Sequence, residues 1–401
     1  MLRDKRIILG ITGSIAVYKA ATLASRLTQE EALVDVIMTE AATRFVAPMT
    51  FQALTGRPVY ADMWQTEHGG GLETHIAHVG LAHEADLLAI APATAQTIAK
   101  IAMGLADNLL TVTALAARCP ILIAPAMDAG MFENPVTQAH LAALRERGVA
   151  IAGPAWGRMA SGLEGLGRFL EPDEVLGHCR AALGQSGPLA GRRVVVTAGP
   201  TREPLDPVRF ISNRSSGKQG FALAQAAIDY GAATTLITGP VDLPTPVGAE
   251  RVDVETVQEM LDAVLAHIEG ADALLMAAAA ADFRPEQAAD QKLKKEAGLE
   301  ALALVATPDI LMHVAESAHR PRVVVGFAAE TQDLIENARA KLSRKKLDLI
   351  VANDVSAVDA GFGVDTNRVT LVAPGQATPL PLMPKAEVAE YVLDWVAERL
   401  A

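Results

Sequence analysis

The stretch "RRVVVTAGPTREPLDPVRFISNRSSGKQGFALAQAAIDYG", residues 192–231, decides how the second half of this chain folds. Its opening "RRVVVTAG" (192–199) is a β-branched apolar run that predicts a buried strand, and "GKQGFALAQAAIDYG" (217–231) has the spacing of a helix ending at Gly231. A loop entering a helix N-terminus presents free N–H groups, which suits an anionic ligand. The Ser-Ser-Gly-Lys core looks like a nucleotide-hydrolase phosphate loop. However, Ser212 stands at the position of the required glycine and Gln219 at that of the required hydroxyl, so a standard loop of that kind is excluded.

Working outward, strand-like runs alternate with helical patterns along the whole chain. The first series is "RIILGITG", "VDVIMT", "DLLAIAPA", "PILIAPAM" and "VAIAG"; the second is "RVVVTAG", "TTLITG", "ALLMAAAAAD", "RVVVGFAAE" and "LDLIVAND", with "VTLVAP" as an added strand. Such alternation predicts α/β architecture: two doubly wound, Rossmann-like, three-layer domains, each with a parallel sheet covered on both faces. The Gly, Ser and Pro-rich "ALGQSGPLAGRR" (182–193) places the boundary near residue 188, giving domains 1–188 and 189–401.

Composition narrows the function classes. The net charge is −12, and both halves are acidic, which disfavours a nucleic-acid binder. No apolar run is long enough to span a bilayer, and the N-terminus passes from charges directly into a strand, so a cytoplasmic protein with no membrane partner is expected. Cys119 and Cys179 are far apart and show no metal-ligand spacing. Neither strand-to-helix turn carries the full glycine fingerprint of a nicotinamide dehydrogenase.

In the first half, Gly10 and Gly13 lie at a strand-to-helix turn, and "APATAQTIAKIAMGLADNLLT" (91–111) packs small residues, hydroxyls, an Asn and a Lys just beyond a strand's carboxyl end. That run resembles the signature of flavin-dependent cysteine decarboxylases. The resemblance implies an FMN site with Gly13, Ser14, Thr39, Thr94, Asn108 and Met127 on the cofactor side, and His75 of "THIAH" as catalytic base. It extends to "PAMDAGMF" (125–132), where Asp128 replaces the usual Asn that helps hold the substrate carboxylate. In "RMASGLEGLGRFLEP" (158–172), Ser161 replaces the usual proton-donating cysteine. The implied chemistry oxidises the thiol-bearing carbon, so that the electrons of the departing carboxylate are accepted, and then returns hydride.

In the second half, "TAGPTREPLDPVRFISNRSSGKQGFALAQAA" (197–227) closely resembles phosphopantothenate–cysteine ligases, the activity fused behind such decarboxylases in bacteria. "AAAAADFRP" (277–285), "KLKK" (292–295), "TPDIL" (307–311), "GFAAET" (326–331) and "KLSRKKLDLIVAND" (341–354) follow in family order. The resemblance implies CTP as co-substrate and assigns Asn213 to the substrate carboxylate or its acyl-cytidylate. It assigns Lys292 to a flap that stabilises charged transition states, and Phe327 to the base. Lys341 and Lys345 would neutralise phosphate charge. Asp282 would hold Mg2+ or the ribose, the backbone N–H groups of Ala277, Ala278 and Ala279 would meet the nucleotide, and Thr307, Pro308, Asp309 and Ile310 would line its site.

These motifs together predict two consecutive steps of coenzyme A biosynthesis. Cysteine is joined to 4'-phosphopantothenate through an acyl-cytidylate, and the product is decarboxylated to 4'-phosphopantetheine. A rival expectation keeps the ligase and makes the first half a flavin-binding scaffold with weak or no decarboxylase activity, because of Asp128 and Ser161. The partners expected are 4'-phosphopantothenate, L-cysteine, CTP and further copies of the chain, with trimeric decarboxylase and dimerising ligase halves.

Overall fold

The computed structural model describes residues 2–63, 77–294, 301–330, 334–354, 361 and 363–401. The chain divides into two compact units, Met1–Leu183 and Gly184–Ala401.

The first unit runs β1 (Arg6–Ile11), α1 (Val17–Gln29), β2 (Leu33–Met38), α2 (Glu40–Thr43), α3 (Pro48–Thr55), β3 (Val59–Tyr60), α4 (Ala77–Glu84), β4 (Leu87–Ala93), α5 (Ala95–Met103), α6 (Leu109–Ala116), β5 (Ile121–Pro125), α7 (Ala129–Phe132), α8 (Pro135–Glu146), β6 (Ala150–Ile151), a hairpin of β7 (Ala155–Arg158) and β8 (Glu164–Arg168), and α9 (Pro172–Gly184). Its sheet has the order β3-β2-β1-β4-β5-β6 and is parallel throughout. Neighbours in β1 point to opposite faces, so Ile7, Leu9 and Ile11 join one core with α1, while Ile8 joins the other with α5, α6 and α8.

The second unit runs β9 (Arg193–Ala198), a hairpin of β10 (Arg202–Pro204) and β11 (Phe210–Ser212), α10 (Lys218–Asp229), β12 (Ala233–Thr238), β13 (Ala249–Asp253), α11 (Val257–His267), β14 (Ala273–Met276), β15 (Phe283–Pro285), β16 (Leu304–Ala306), α12 (Ile310–Glu316), β17 (Val323–Glu330), α13 (Leu334–Arg344), β18 (Leu349–Asp354), β19 (Thr366–Asn367), β20 (Val369–Ala373), β21 (Gln376–Pro379), β22 (Met383–Pro384) and α14 (Lys385–Leu400). The order β13-β12-β9-β14-β17-β18-β20-β21 repeats the topology of the first unit and adds an antiparallel edge. The "VTLVAP" run thus joins as the reversed strand β20. The helices α11, α12 and α13 cover one face. On the other, α10 packs so closely on β9 that a Cβ at Gly220 would lie 2.5 Å from that of Ala198, so only glycine fits.

The unit boundary falls before the expected residue 188 because the Gly-Ser-Pro stretch is not a loose linker. A Cβ at Gly184 would sit 2.4 Å from the Ile228 carbonyl, and the Leu189 N–H donates to the Tyr230 carbonyl at 2.8 Å, stitching 184–189 to the end of α10. The three short hairpins β7–β8, β10–β11 and β15–β16 were not legible as strand runs, since each arm has only three to five residues.

Burial separates the two thiols. Cys179 is fully buried, and the loss of solvent pushes its pKa up from 9.0 to about 12. A raised folded-state pKa contributes stability below the unfolded value and loses it as pH climbs, here between 9 and about 12. At pH 8 an alkylating reagent should therefore label half-buried Cys119 under native conditions and Cys179 only after unfolding; equal labelling of the native protein by mass spectrometry would contradict this.

Candidate functional site

In a doubly wound sheet the chain leaves β9 on one face and β14 on the other, so the carboxyl edge between them is uncovered. A cleft of about 570 Å³ lies there. It is lined by Asn213, Ala277–Ala279, Asp282, Thr307–Ile310, Phe327, Lys341 and Lys345, so all the residues expected for the nucleotide side except Lys292 meet in one place. Lys292 is exposed and is not part of the lining.

The alanine loop after β14 is held from beneath by two fully buried threonines. Thr197 Oγ1 accepts the Ala278 N–H at 3.1 Å and Thr201 Oγ1 the Ala281 N–H at 3.0 Å, while the Ala279 N–H donates to the Gly199 carbonyl at 2.9 Å. Two of the three amides expected to meet a nucleotide are therefore used inside the protein. The missing side chains matter instead, because they let a ligand approach the strand ends. Asn213 donates from Nδ2 to the carbonyls of Ala279 at 3.1 Å and Ala280 at 3.0 Å. Only an NH2 group can serve two carbonyls, so Asn213 clamps the loop and turns its Oδ1 acceptor elsewhere. Thr307 adds a hydroxyl bond to the Ala281 carbonyl. Ile310 belongs to the apolar core while bordering the cleft.

Cations come from both faces of the sheet. On the α13 side, Lys345 pairs with Asp309 at 3.0 Å, and Asp309 also caps α12 at the Met312 N–H. On the α10 and α14 side stand two lysines that sequence reading did not assign. Lys218 bonds Asp365 at 2.6 Å. Lys385 is only 6% exposed and donates to the carbonyls of Gly361, at 2.8 Å, and Val364. Its pKa is lowered by burial and then by the charge of Lys218. Both lysines occupy first helical positions, where a positive charge opposes the helix dipole. That breach of the usual helix-start pattern was the available sequence signal. Gln219 and Asn367 join them, and Asn353 places a buried Oδ1 on the cleft with no hydrogen-bond partner among the described residues. Such an orphan costs about 1–3 kcal/mol unless a ligand or water donates to it.

Among the described residues no three His, Cys, Asp or Glu side chains cluster as a metal site. Asp282, exposed on the cleft, offers one carboxylate; Mg2+ carried on a nucleotide needs only one or two.

In the first unit the expected residues also follow strand carboxyl ends. Thr12, buried beyond β1, donates to the Pro92 carbonyl at 2.7 Å and accepts the Thr94 N–H at 2.9 Å, locking β1 to β4 at the reversal of strand order. Gly13 is required for packing, since a Cβ there would lie 2.5 Å from that of Ala41. Thr39, Thr94 and Asn108 each cap a helix, accepting the N–H of Ala42, Thr97 and Thr111 respectively. Thr39 Oγ1 can still donate its proton, whereas Thr94 Oγ1 gives its own to Thr97 Oγ1 at 3.2 Å. At the start of α1, Ser14 Oγ accepts the Ala16 N–H at 3.3 Å, the Ser14 carbonyl accepts the Val17 N–H at 3.1 Å, and the first turn carries no acid. Hydroxyls and an acid-free helix start at a strand-order reversal fit a phosphate-bearing flavin. His75 lies outside the described residues.

Asp128 and Ser161, the two departures from the decarboxylase pattern, are partners. Ser161 Oγ donates to Asp128 Oδ2 at 2.8 Å, and Asp128 Oδ1 caps α7 at the Gly130 N–H at 3.2 Å. The contact exists because the β7–β8 hairpin lies flat on the segment beyond β5. Met127 N–H donates to the Gly167 carbonyl at 3.1 Å, and a Cβ at Gly167 would lie 2.4 Å from the Met127 carbonyl. With its proton aimed at a carboxylate, Ser161 is set to accept from a substrate rather than to act as an acid.

Comparison with known proteins agrees with this division. Residues 1–183 match the family described as Flavoprotein, and residues 189–400 match the DNA/pantothenate metabolism flavoprotein C-terminal domain. The coenzyme A biosynthesis bifunctional protein CoaBC of Bacillus subtilis (strain 168) is 46% identical over 401 residues, covering 99% of this chain and 98% of its own. The protein of that name from Mycobacterium tuberculosis (strain ATCC 25618 / H37Rv) is 44% identical over 413 residues, covering 99% and 97%. A solved C-terminal domain of a CoaBC protein is 38% identical and covers 54% of this chain and 98% of that one, with a TM-score of 0.46. A pattern shared over nearly the full length of both relatives places this chain in the family of coenzyme A biosynthesis bifunctional proteins.

Proposed function

We propose that the second unit joins L-cysteine to 4'-phosphopantothenate using CTP, and that the first, with FMN, decarboxylates the product to 4'-phosphopantetheine. The observation that carries the ligase reading is a single cleft with separate cation groups on the two faces of the sheet and an alanine loop between them. A triphosphate and a phosphorylated carboxylic acid each require charge neutralisation, and the α13 and α10–α14 lysines supply it separately. Lys341 and Lys345 take the triphosphate, Phe327 the base, and Asp282 the Mg2+ or ribose. Lys218 and Lys385 take the far phosphate of the acid, and the orphan Asn353 Oδ1, an acceptor, takes a hydrogen bond from an N–H or O–H of the same molecule. The carboxylate attacks the α-phosphorus, pyrophosphate leaves, and the cysteine amine then displaces CMP from the acyl carbon and loses a proton. Asn213 holds the alanine loop where this acyl group lies.

A kinetic split tests the assignment. Replacing a charged hydrogen-bond donor costs about 1.5–3 kcal/mol, so Lys218→Gln should raise KM for phosphopantothenate roughly tenfold or more with little change for CTP, and Lys345→Gln should do the reverse. Equal effects of either variant on both substrates would overturn it.

For the first unit, the α1 start after Ser14 would receive the flavin phosphate, with Thr39, Thr94, Asn108 and Met127 around the ring system. The bound flavin supplies a two-electron acceptor that decarboxylation of a cysteinyl amide needs. His75 is the proposed base. Asp128 and Ser161 close the substrate side. The protein supplied with phosphopantothenoylcysteine should release CO2, and Ser161→Ala should lower the rate roughly tenfold by removing a charge-assisted bond. Bound flavin without CO2 release would leave the first unit as a flavin-binding scaffold.

The assembly is read as a homo-oligomer. Exposed Phe45, Met49 and Leu115 on the first unit and Phe210, Phe283 and Leu304 on the second support this. Light scattering at micromolar concentration should give a mass well above 42.1 kDa, and a monomer would refute it.

A further inference from the structure

The turn between β10 and β11 buries a carboxylate that does more than the turn requires. Asp206 Oδ1 accepts the N–H groups of Val208 at 2.8 Å and Arg209 at 2.9 Å, which already closes the turn. Its second oxygen takes the Arg209 guanidinium, through Nε at 2.9 Å and Nη2, and also the N–H of Leu293 at 3.2 Å, from a segment far along the chain. Arg209 Nη2 in turn donates to the Leu293 carbonyl at 2.8 Å. Both backbone polar groups of Leu293 are thus gripped by one ion pair, and the Ala289 N–H is tied to the Leu205 carbonyl at 3.0 Å. The Asp206 side chain is wholly buried beneath Arg209, which is about half-exposed. The guanidinium holds its carboxyl well below the usual carboxylate range.

The gripped residue is the immediate neighbour of Lys292. Residues 286–303 connect β15 to β16, an arm that begins beside the cleft just after Asp282 and rejoins it at Thr307, whose N–H donates to the Asp282 carbonyl at 3.0 Å. Lys292 is exposed on this arm and outside the cleft lining, so its approach to a ligand is set by where the arm is anchored. We propose that Asp206 is a positioning residue for ligation: with Arg209 it clasps the backbone of Leu293 and fixes the point from which Lys292 reaches the cleft. The proposal rests on reading Lys292 as the lysine that meets the developing phosphate charge. A buried carboxylate committed to a remote backbone amide gives Leu293 one location, where a turn closed by Oδ1 alone would leave that residue held only through the Ala289 bond.

The test uses the full-length protein in two measurements. Hydrogen–deuterium exchange should show the peptide covering 286–294 exchanging about tenfold faster in Asp206→Asn, with β9 and β14 peptides unchanged. In CTP-dependent ligation the same variant should lower kcat about tenfold while leaving KM for CTP within about twofold, and in a Lys292→Gln background it should cost nothing further. Leu293→Pro, which removes the donated N–H but leaves the turn intact, should reproduce the kinetic effect if Asp206→Asn folds poorly. Unchanged exchange over 286–294, or an equal loss with and without Lys292, would overturn the proposal. Absence of ligation by the unmodified chain would instead refute the functional reading, and with it the catalytic consequence of the clasp, while the exchange result judged the clasp itself.

Discussion

Two neighbouring parallel strands whose connections depart to opposite faces cannot share a covering loop, and that gap is the constraint on which both units are built. It opens between β1 and β4 in the first unit and between β9 and β14 in the second. Each gap is braced in the same way, by buried threonine hydroxyls that tie one strand's end to its neighbour's: Thr12 to the Pro92–Thr94 turn, Thr197 and Thr201 to the alanine loop. Residues around the gap can then be small or polar without loosening the sheet.

What differs between the units is the charge brought to the gap. The second unit sets lysines on both faces, and two of them sit at helix starts that would ordinarily favour acids. Buried Lys385, satisfied by carbonyls rather than by its own carboxylate, and Asn353, with an unanswered acceptor, are local costs in a protein otherwise well satisfied. Such costs concentrate where a ligand completes the arrangement. The first unit instead offers hydroxyls and a helix start free of acids, suited to a cofactor held mainly by hydrogen bonds.

Much of this was legible in the sequence. The alternating apolar runs announced two parallel sheets, because strands buried on both faces must be apolar throughout. The small-residue and lysine motifs led to one cleft, because they lie at strand ends that topology brings together. Lys385 was legible only as a lysine at a helix start: its role depends on α14 packing against α10, a contact between elements more than 150 residues apart that no local pattern encodes. The double use of Thr39, Thr94 and Asn108 as helix caps was not legible, since a Thr or Asn before a helix reads equally as cap or ligand. The Asp206 grip was hidden because an aspartate in "PLDPVR" reads as a turn former, and its remote partner is a backbone amide with no side-chain signature.

The hydrogen bond between Ser161 and Asp128 has a consequence for how this site can vary. A hydroxyl donating to a carboxylate is a charge-assisted pair, and removing either member leaves the other without the bond that fixes it. The two positions are therefore energetically coupled, so that replacing both costs less than the sum of replacing each alone.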